Sequence, residues 1–396
     1  MSLRSLDGVD VAGKRVLVRV DFNVPMHDGE LGDDTRLKAA LPTIRRLQQG
    51  GARTILLSHF DRPKGRRIAS LSLRPVAAAL SRLLDCDVAF AEDCVGEPAR
   101  RAVQALAPGA VLLLENLRFH AGEEANDAEF ARALAGNGDL YVDDAFSAAH
   151  RAHASTEALA HLLPAYAGEA MRRELEALDR ALGSPRRPVL GIVGGSKVST
   201  KLDLLHNLIR KLDRLCIGGG MANTFLAAQG WSVGASLVEH DLEAEARGVM
   251  AFAEKRGCGL LLPIDVVAAQ NAEPGGAAHA RNLGELKADE RILDVGPATV
   301  DKLCGAMDEA ATLIWNGPVG VFETPPFDRG TLAIARQAAA LAKAGKLVAI
   351  AGGGDTVAAL NAAGVAGDFT FVSTAGGAFL EWIEGKRLPG LEALNA

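Results

Sequence analysis

The 396-residue sequence lacks the marks of a secreted, membrane or nucleic-acid-binding chain. Its five cysteines (Cys86, Cys94, Cys216, Cys258, Cys304) include no C-x-x-C pair, which fits a reducing compartment and no structural zinc. A basic excess is missing: 43 Lys and Arg face 49 Asp and Glu, a net charge of −6. That argues against a non-specific binder of nucleic acid or membrane surface, because neutralising phosphates needs positive charge. A small anion held by a local basic patch stays open. No stretch reaches the ~18 apolar residues of a membrane span. The opening Met-Ser-Leu-Arg-Ser-Leu-Asp-Gly has no apolar signal segment. A soluble, cytoplasmic protein is expected. Lysine is scarce before residue 170, where only Lys14, Lys38 and Lys64 occur and the other basic residues are arginines. Arginine holds carboxylates and phosphates bidentately, which suits oxyanion recognition. High-GC codon usage would give the same bias.

What is present is an ordinary globular composition, 48% hydrophobic and 23% charged, with one outlier. Glycine makes up 43 of 396 residues, about 11% against an ordinary ~7%. The length suggests two or three domains. Short apolar runs near 15–20, 54–58, 86–91, 110–114, 139–143 and 164–167 read as strands, and a second series lies near 188–193, 213–217, 259–262, 312–316, 346–351 and 368–372. Runs of this kind suit strands buried on both faces of a parallel sheet. Amphipathic segments lie between them, such as 200–212 with Leu202, Leu205, Leu208, Ile209 and Leu212 on one face. Strand–helix alternation predicts a doubly wound α/β fold. The two series meet at 169–183, a charged helix with Met171, Leu175, Leu178 and Leu182 on one side, ending at Gly183-Ser184-Pro185. It reads as a connector between domains; a surface helix of one large domain is the alternative.

In open α/β sheets ligands bind beyond the carboxyl ends of the strands. In the second half glycines cluster there: Gly194-Gly195-Ser196-Lys197, Gly218-Gly219-Gly220, Gly352-Gly353-Gly354-Asp355-Thr356 and Ala375-Gly376-Gly377. Such loops let backbone N–H groups approach a ligand, and a following helix adds its positive end, so four of them point to a polyphosphate. Tight turns without a ligand are the plainer reading. No G-x-x-x-x-G-K-[ST] occurs, and no G-x-G-x-x-G follows the first strand of either half, which excludes a P-loop enzyme and counts against an NAD-dependent dehydrogenase. Lys197 and Lys201, four apart at a helix start, would reach neighbouring phosphates from one face, or simply face solvent. Asp355 would cap its helix or hold a Mg²⁺ carried by nucleotide phosphates. In the first half, Asp21-Phe22-Asn23, Arg36, His59-Phe60-Asp61-Arg62, Arg118 and Arg151 follow strands. There they would form a basic pocket for a small ligand bearing carboxylate and phosphate, although each arginine alone would serve as a surface ion pair. His150 and His153 are weak metal-ligand candidates.

These residues sit in longer motifs: RVDFNVP (19–25), DDTR (33–36), SHFDRP (58–63), LENLRFH (114–120), DDAFSAAHRAHAS (143–155), GGSKVSTKL (194–202), GGGMANTF (218–225), DVGPATV (294–300), WNGPVGVFE (315–323), GGGDT (352–356) and STAGGA (373–378). In this order the sequence resembles the phosphoglycerate kinase family over nearly its whole length. The resemblance implies two Rossmann-like domains joined by a helical hinge. A glycerate-binding domain would span 1–168, with 380–396 returning to it, followed by a connector at 169–187 and a nucleotide-binding domain at 188–379. It implies phosphoryl transfer between 1,3-bisphosphoglycerate and MgADP, with ADP/ATP and 3-phosphoglycerate as partners, Mg²⁺ as cofactor, and a monomer. By the family pattern Asp21, Phe22, Asn23, Arg36, His59, Phe60, Asp61, Arg62, Arg118 and Arg151 contact the glycerate. Lys197 and Lys201 contact phosphate, Glu323 the ribose, and Gly353, Gly354, Asp355 and Thr356 the nucleotide phosphates, with Asp355 toward the metal. Arg36, Lys197 and the helix starts at Gly353 and Gly376 would stabilise the moving phosphoryl group.

Three positions depart from the pattern: Asp61 where glycine is frequent, Ser147-Ala148 where Gly-Thr is common, and Ala375 where a third glycine is usual. A carboxylate at Asp61 beside an anion pocket would weaken binding unless it faces solvent. A silent sugar-phosphate sensor would keep the pocket and lose Lys197 or Asp355; both are present.

Overall fold

The structure is a computed structural model describing residues 3–27 and 30–395. Contacts divide the chain into one unit of Met1–Leu175 with Arg387–Ala396 and another of Glu176–Lys386. The division falls inside the helix Glu169–Leu178, which runs into a π turn at Asp179–Gly183. The start of that helix is fixed by Asp144, whose Oδ1 accepts from the backbone N–H of Ala170 (2.8 Å) and Met171 (3.2 Å).

The first unit is built on six parallel strands in the order Val88–Ala91, Val111–Leu114, Arg53–Leu57, Arg15–Arg19, Leu140–Asp143, Ala165–Ala167. Its central strands are buried on both faces, which is why they read as unbroken apolar runs. Val16, Val18, Leu56, Val111 and Leu113 pack against Leu37 and Ile44 of the helix Thr35–Gln49 and Leu80 of Arg74–Leu84. Each such side chain contributes about 1.5–3 kcal/mol on burial.

The second unit repeats the plan with Gly259–Leu261, Arg214–Ile217, Val189–Val193, Thr312–Asn316, Val348–Gly352 and Phe371–Ser373, again all parallel. Leu190, Ile192, Leu313 and Trp315 form its core with Leu303 and Ile334 of the flanking helices. All twelve strands predicted from sequence are present, and the fold is α/β with two doubly wound sheets. Two features were not foreseen: a three-stranded antiparallel sheet of His279–Asn282, Asp265–Ala269 and Arg291–Val295, and a two-stranded ribbon of Met26–His27 with Glu30–Leu31. Among the described residues no helix is long and apolar enough to cross a membrane.

The strand order sets where ligands can go. In the first sheet the chain reverses direction of growth beside Arg15–Arg19, whose neighbours are Arg53–Leu57 and Leu140–Asp143. In the second it does so beside Val189–Val193, between Arg214–Ile217 and Thr312–Asn316. At such switch points the loops leaving adjacent strands part, and a crevice opens at the carboxyl edge.

Candidate active site

At the first switch point the loop after Arg15–Arg19 meets the loop after Leu140–Asp143. The Asp21 carboxylate joins them: its Oδ2 accepts from Arg36 Nη1 (2.8 Å) and from the Ser147 hydroxyl, and its Oδ1 from the Asn23 N–H (3.0 Å). Arg36 Nη1 also donates to the Asn23 carbonyl (2.9 Å), so the guanidinium is fixed in direction while a third of the side chain stays exposed. Burial pushes the Asp21 carboxyl up; the neighbouring His59, then Arg36, Ser147 and the Asn23 N–H, together more than offset this and hold it below its ordinary value.

The loop after Arg53–Leu57 is tied in beside it. Phe22 N–H donates to Ser58 Oγ (2.9 Å), and Asp61 N–H donates to Asn23 Oδ1 (2.9 Å). Asn116 ties this loop to the one after Val111–Leu114. Its Oδ1 accepts from the N–H of Phe60 (3.0 Å) and Arg118 (3.1 Å), and its Nδ2 donates to the Phe60 carbonyl (2.8 Å). Arg118 Nη1 donates to the Asp61 carbonyl (2.7 Å), and its Nε lies 3.3 Å from Glu124 Oε1. Phe22 and Phe60 are buried core residues that shape the loops.

Burial, then the charge of Arg151, lowers the pKa of Arg118; burial, then Arg62, does the same to Arg151. Three cations therefore crowd together, with Arg62 exposed and Arg151 half-buried. A bound anion would relieve that repulsion. His59 is buried, and burial followed by the charge of Arg19 takes its pKa well below 6.5, so the ring is neutral. Its Nδ1 lies 2.9 Å from Arg19 Nη2; arginine only donates, so Nδ1 accepts and the ring proton sits on Nε2. Arg19 is held below by Ser155 Oγ (2.8 Å), whose hydroxyl donates to the buried Glu123 (2.6 Å). His150 Nε2 accepts from Arg151 Nε (3.1 Å), and burial lowers His153 to about 4. Neither belongs to a group of converging metal-type donors among the described residues.

The departures acquire causes. Asp61 has φ +49°, a left-handed conformation in which glycine is at ease, and it is exposed. Ser147 supplies a hydroxyl to Asp21 that glycine would lack. Ala375 is buried, and its N–H donates to Ser373 Oγ (3.2 Å).

At the second switch point Lys201 spans the crevice. Its Nζ donates to the Gly194 carbonyl and to Asn316 Oδ1, each at 2.7 Å, and burial lowers its pKa to about 8. Asn316 continues to the next loop by donating from Nδ2 to the Gly352 carbonyl (2.8 Å), and Gly317 N–H donates to Thr356 Oγ1 (2.7 Å). Gly353, at φ +100°, precedes the helix Gly354–Ala362; a Cβ there would lie 2.6 Å from Asn316 Nδ2. Gly376 (φ +45°) precedes Gly377–Ile383, and Gly219 (φ +68°) precedes Gly220–Ala228. Three helix starts thus follow strands of one sheet edge and turn their positive ends to it, although in Gly220–Ala228 the Met221 N–H already donates to the Gly195 carbonyl (2.9 Å). Asp355 is exposed in the first turn of its helix, whose N-cap is Gly353, and its carboxylate makes no hydrogen bond among the described residues. Glu323 is exposed in the loop after Thr312–Asn316.

One expectation is corrected here. Lys197 and Lys201 do not share a helical face: the helix is Leu202–Ile209, with Lys201 at its N-cap and Lys197 exposed in the preceding loop. Glu239 holds that loop in a turn by accepting from the N–H (3.0 Å) and hydroxyl (2.6 Å) of Ser199. Residues missed by sequence reasoning are Arg19, Asn116 and Asn316. Each is a polar residue buried at or just beyond a strand's carboxyl end, and that position was the available signal. A cavity of about 700 Å³ elsewhere in the second unit, lined by Trp231, Met250, Ile264 and Leu283 among others, includes none of the residues above.

The family model described as phosphoglycerate kinase matches residues 6–386. The chain is 66% identical over 396 residues to the phosphoglycerate kinase of Caulobacter vibrioides (strain NA1000 / CB15N), covering all of both sequences. It is 58% identical to that of Rhizobium meliloti (strain 1021), covering 100% of this chain and 99% of the relative. Among solved structures, phosphoglycerate kinase from Coxiella burnetii superposes with a TM-score of 0.93 at 42% identity, covering 100% of this chain and 99% of that one. The enzyme from Pyrococcus horikoshii OT3 does so at 0.79 and 31% identity, covering 99% and 98%. With likeness of this extent in both sequence and fold, the chain belongs to the phosphoglycerate kinase family.

Proposed function

We propose that this chain is a phosphotransferase of glycolysis and gluconeogenesis, moving the acyl phosphate of 1,3-bisphosphoglycerate reversibly to MgADP to give 3-phosphoglycerate and MgATP. The observation that carries the reading is the pairing of two unlike half-sites at two switch points. One is a crowd of cations around Arg62, Arg118 and Arg151; the other is a rim of helix N-termini around Lys201. The first suits a small acid bearing phosphate, the second a nucleotide polyphosphate.

In this reading Arg62, Arg118, Arg151 and His59 hold the glycerate, with Asp21, Asn23 and Asp61 positioning the loops around it. The neutral His59 presents its Nε2 proton as a hydrogen-bond donor and shuttles none. Lys201, Thr356 and the N–H groups at Gly353 and Gly354 hold nucleotide phosphates, and Glu323 meets the ribose. Asp355 fits a magnesium ion riding on the nucleotide, since its exposed carboxylate is a hard oxygen donor committed to no hydrogen bond among the described residues. When bound, that ion neutralises charge on the phosphates. The acceptor is already an oxyanion in either direction, so no general base is required. Arg36 and Lys197, with the helix starts at Gly353 and Gly376, stabilise the equatorial oxygens of the group in flight.

Arg36 and Lys197 lie in different units, so transfer requires the half-sites to meet and water to be shut out. Segment 169–187 is proposed as the hinge, supported by the unit division inside Glu169–Leu178 and the π turn after it. Cytoplasmic location agrees with the free cysteines, and a monomer with the small number of exposed large apolar side chains among the described residues. The test is a coupled assay with ATP, Mg²⁺ and 3-phosphoglycerate, run beside Lys197→Ala. The variant should lose roughly 10²–10³ in kcat, the effect of removing one charge-stabilising donor. A loss under threefold overturns that role, and no turnover by the native chain overturns the function.

A further inference from the structure

The sequence offers no metal-type spacing of cysteine and histidine, yet the fold makes a cluster that spacing could not show. Asp93 and Cys94 follow the strand Val88–Ala91, and His120 follows Val111–Leu114 and the 3-10 turn Leu117–Phe119. These strands are parallel neighbours, so both loops leave the same edge of the sheet. There the donor atoms of Asp93, Cys94 and His120 come within 4.8 Å of one another. We infer that Asp93, Cys94 and His120 form a binding site for a borderline-soft divalent metal of the zinc class.

The donor set carries the argument. Thiolate, imidazole and carboxylate together are zinc ligands; three of them leave a fourth position for water. Two negative ligands balance the two charges of the ion. At ordinary bond lengths of about 2.0–2.3 Å, tetrahedral donors stand roughly 3.3–3.8 Å apart. No pair of donors therefore has to close by more than about 1–1.5 Å, and the Asp93–His120 pair, 2.7 Å apart, has to open.

The surroundings hold the ligands in the way metal ligands are held. Asp93 Oδ2 accepts from Arg67 (2.9 Å), while Oδ1 accepts from the Cys94 N–H (2.7 Å) and the Val95 N–H (3.4 Å) and lies 2.7 Å from His120 Nε2. The His120 ring stacks on Phe130 with centroids 5.1 Å apart. Asn137 Nδ2 donates to the Cys94 carbonyl (3.2 Å). The Cys94 side chain is fully buried, and among the described residues its sulfur takes part in no hydrogen bond. On binding, the Cys94 thiol proton passes to solvent as the metal–sulfur bond forms, and the His120 ring proton moves from Nε2 to Nδ1 as Nε2 turns to the metal. No redox step is involved.

The test uses the purified full-length chain with Zn²⁺ or Co²⁺ as the only probe. One equivalent of Co²⁺ should give thiolate-to-metal charge-transfer absorption. Zn²⁺ at a hundredfold excess over its Kd should raise Tm by roughly 5 °C, whereas Mg²⁺ should not. Cys94→Ser should abolish the absorption, and His120→Gln should weaken Zn²⁺ binding at least tenfold. Absence of the absorption in the native chain overturns the proposal. So does absorption that survives in Cys94→Ser, since four other cysteines remain in that variant.

Discussion

Raising the pH should weaken nucleotide binding through Lys201. Its ammonium is buried between the Gly194 carbonyl and Asn316 Oδ1, and the lost hydration takes its pKa to about 8. A lysine whose pKa is lowered gives up its charge as pH rises through that value. With phosphate binding drawn from the charged form, the competent fraction falls from roughly 0.76 at pH 7.5 to 0.09 at pH 9, an eightfold loss of affinity. An ordinary lysine would lose only a few per cent over the same range. The nucleotide's own phosphate ionisation, near 6, is complete before the window opens. Calorimetric titration with MgADP at pH 7.5 and 9 reads the difference directly. Lys201→Arg stays charged throughout and should flatten the profile. Lys201→Met should bind at least tenfold more weakly at pH 7.5, the loss of one charge-assisted hydrogen bond, and show no pH dependence. A change under twofold in the native chain between the two pH values refutes the reasoning.

Removing the Ser147 hydroxyl takes one of two side-chain donors from Asp21 Oδ2 and loosens the frame around Arg36. Ser147→Ala should raise KM for 3-phosphoglycerate about fivefold with kcat within twofold, the worth of about 1 kcal/mol; an unchanged KM removes Ser147 from the site. Gly353→Ala places a methyl 2.6 Å from Asn316 Nδ2 at φ +100°, and should cost about 1–3 kcal/mol in denaturant unfolding. Equal unfolding midpoints would contradict the assigned backbone. X-ray scattering should give a smaller radius of gyration with both substrates bound than with neither, and superimposable curves would defeat hinge closure.

The parallel sheets were legible because strands such as Val189–Val193 are buried on both faces and so are apolar throughout. The antiparallel sheet escaped because His279–Asn282 is polar and largely exposed, so nothing in its composition separates it from the Gly-Pro loop before it. Arg291–Val295 was the better clue, yet a five-residue strand says nothing about its partner. At the site, arginines placed after strands were readable from position alone. The disposition of Lys197 and Lys201 was not, since helix periodicity in Leu202–Ile209 was extended backwards into a loop that Glu239 holds from forty residues away. Ser147 looked like a loss of glycine; its partner Asp21 is 126 residues distant and visible only in three dimensions.

The helix Pro389–Leu394 belongs to the first unit, where Leu391 and Leu394 are buried and Gly390 donates its N–H to the Ala149 carbonyl (2.9 Å). A Cβ at residue 390 would stand 3.0 Å from the Ala149 backbone. On the ribosome this closing piece emerges only after residues 176–386, a delay of about 10–40 s at ordinary elongation rates. Throughout that interval the nascent amino-terminal lobe lacks the cover that the buried Leu391 and Leu394 supply.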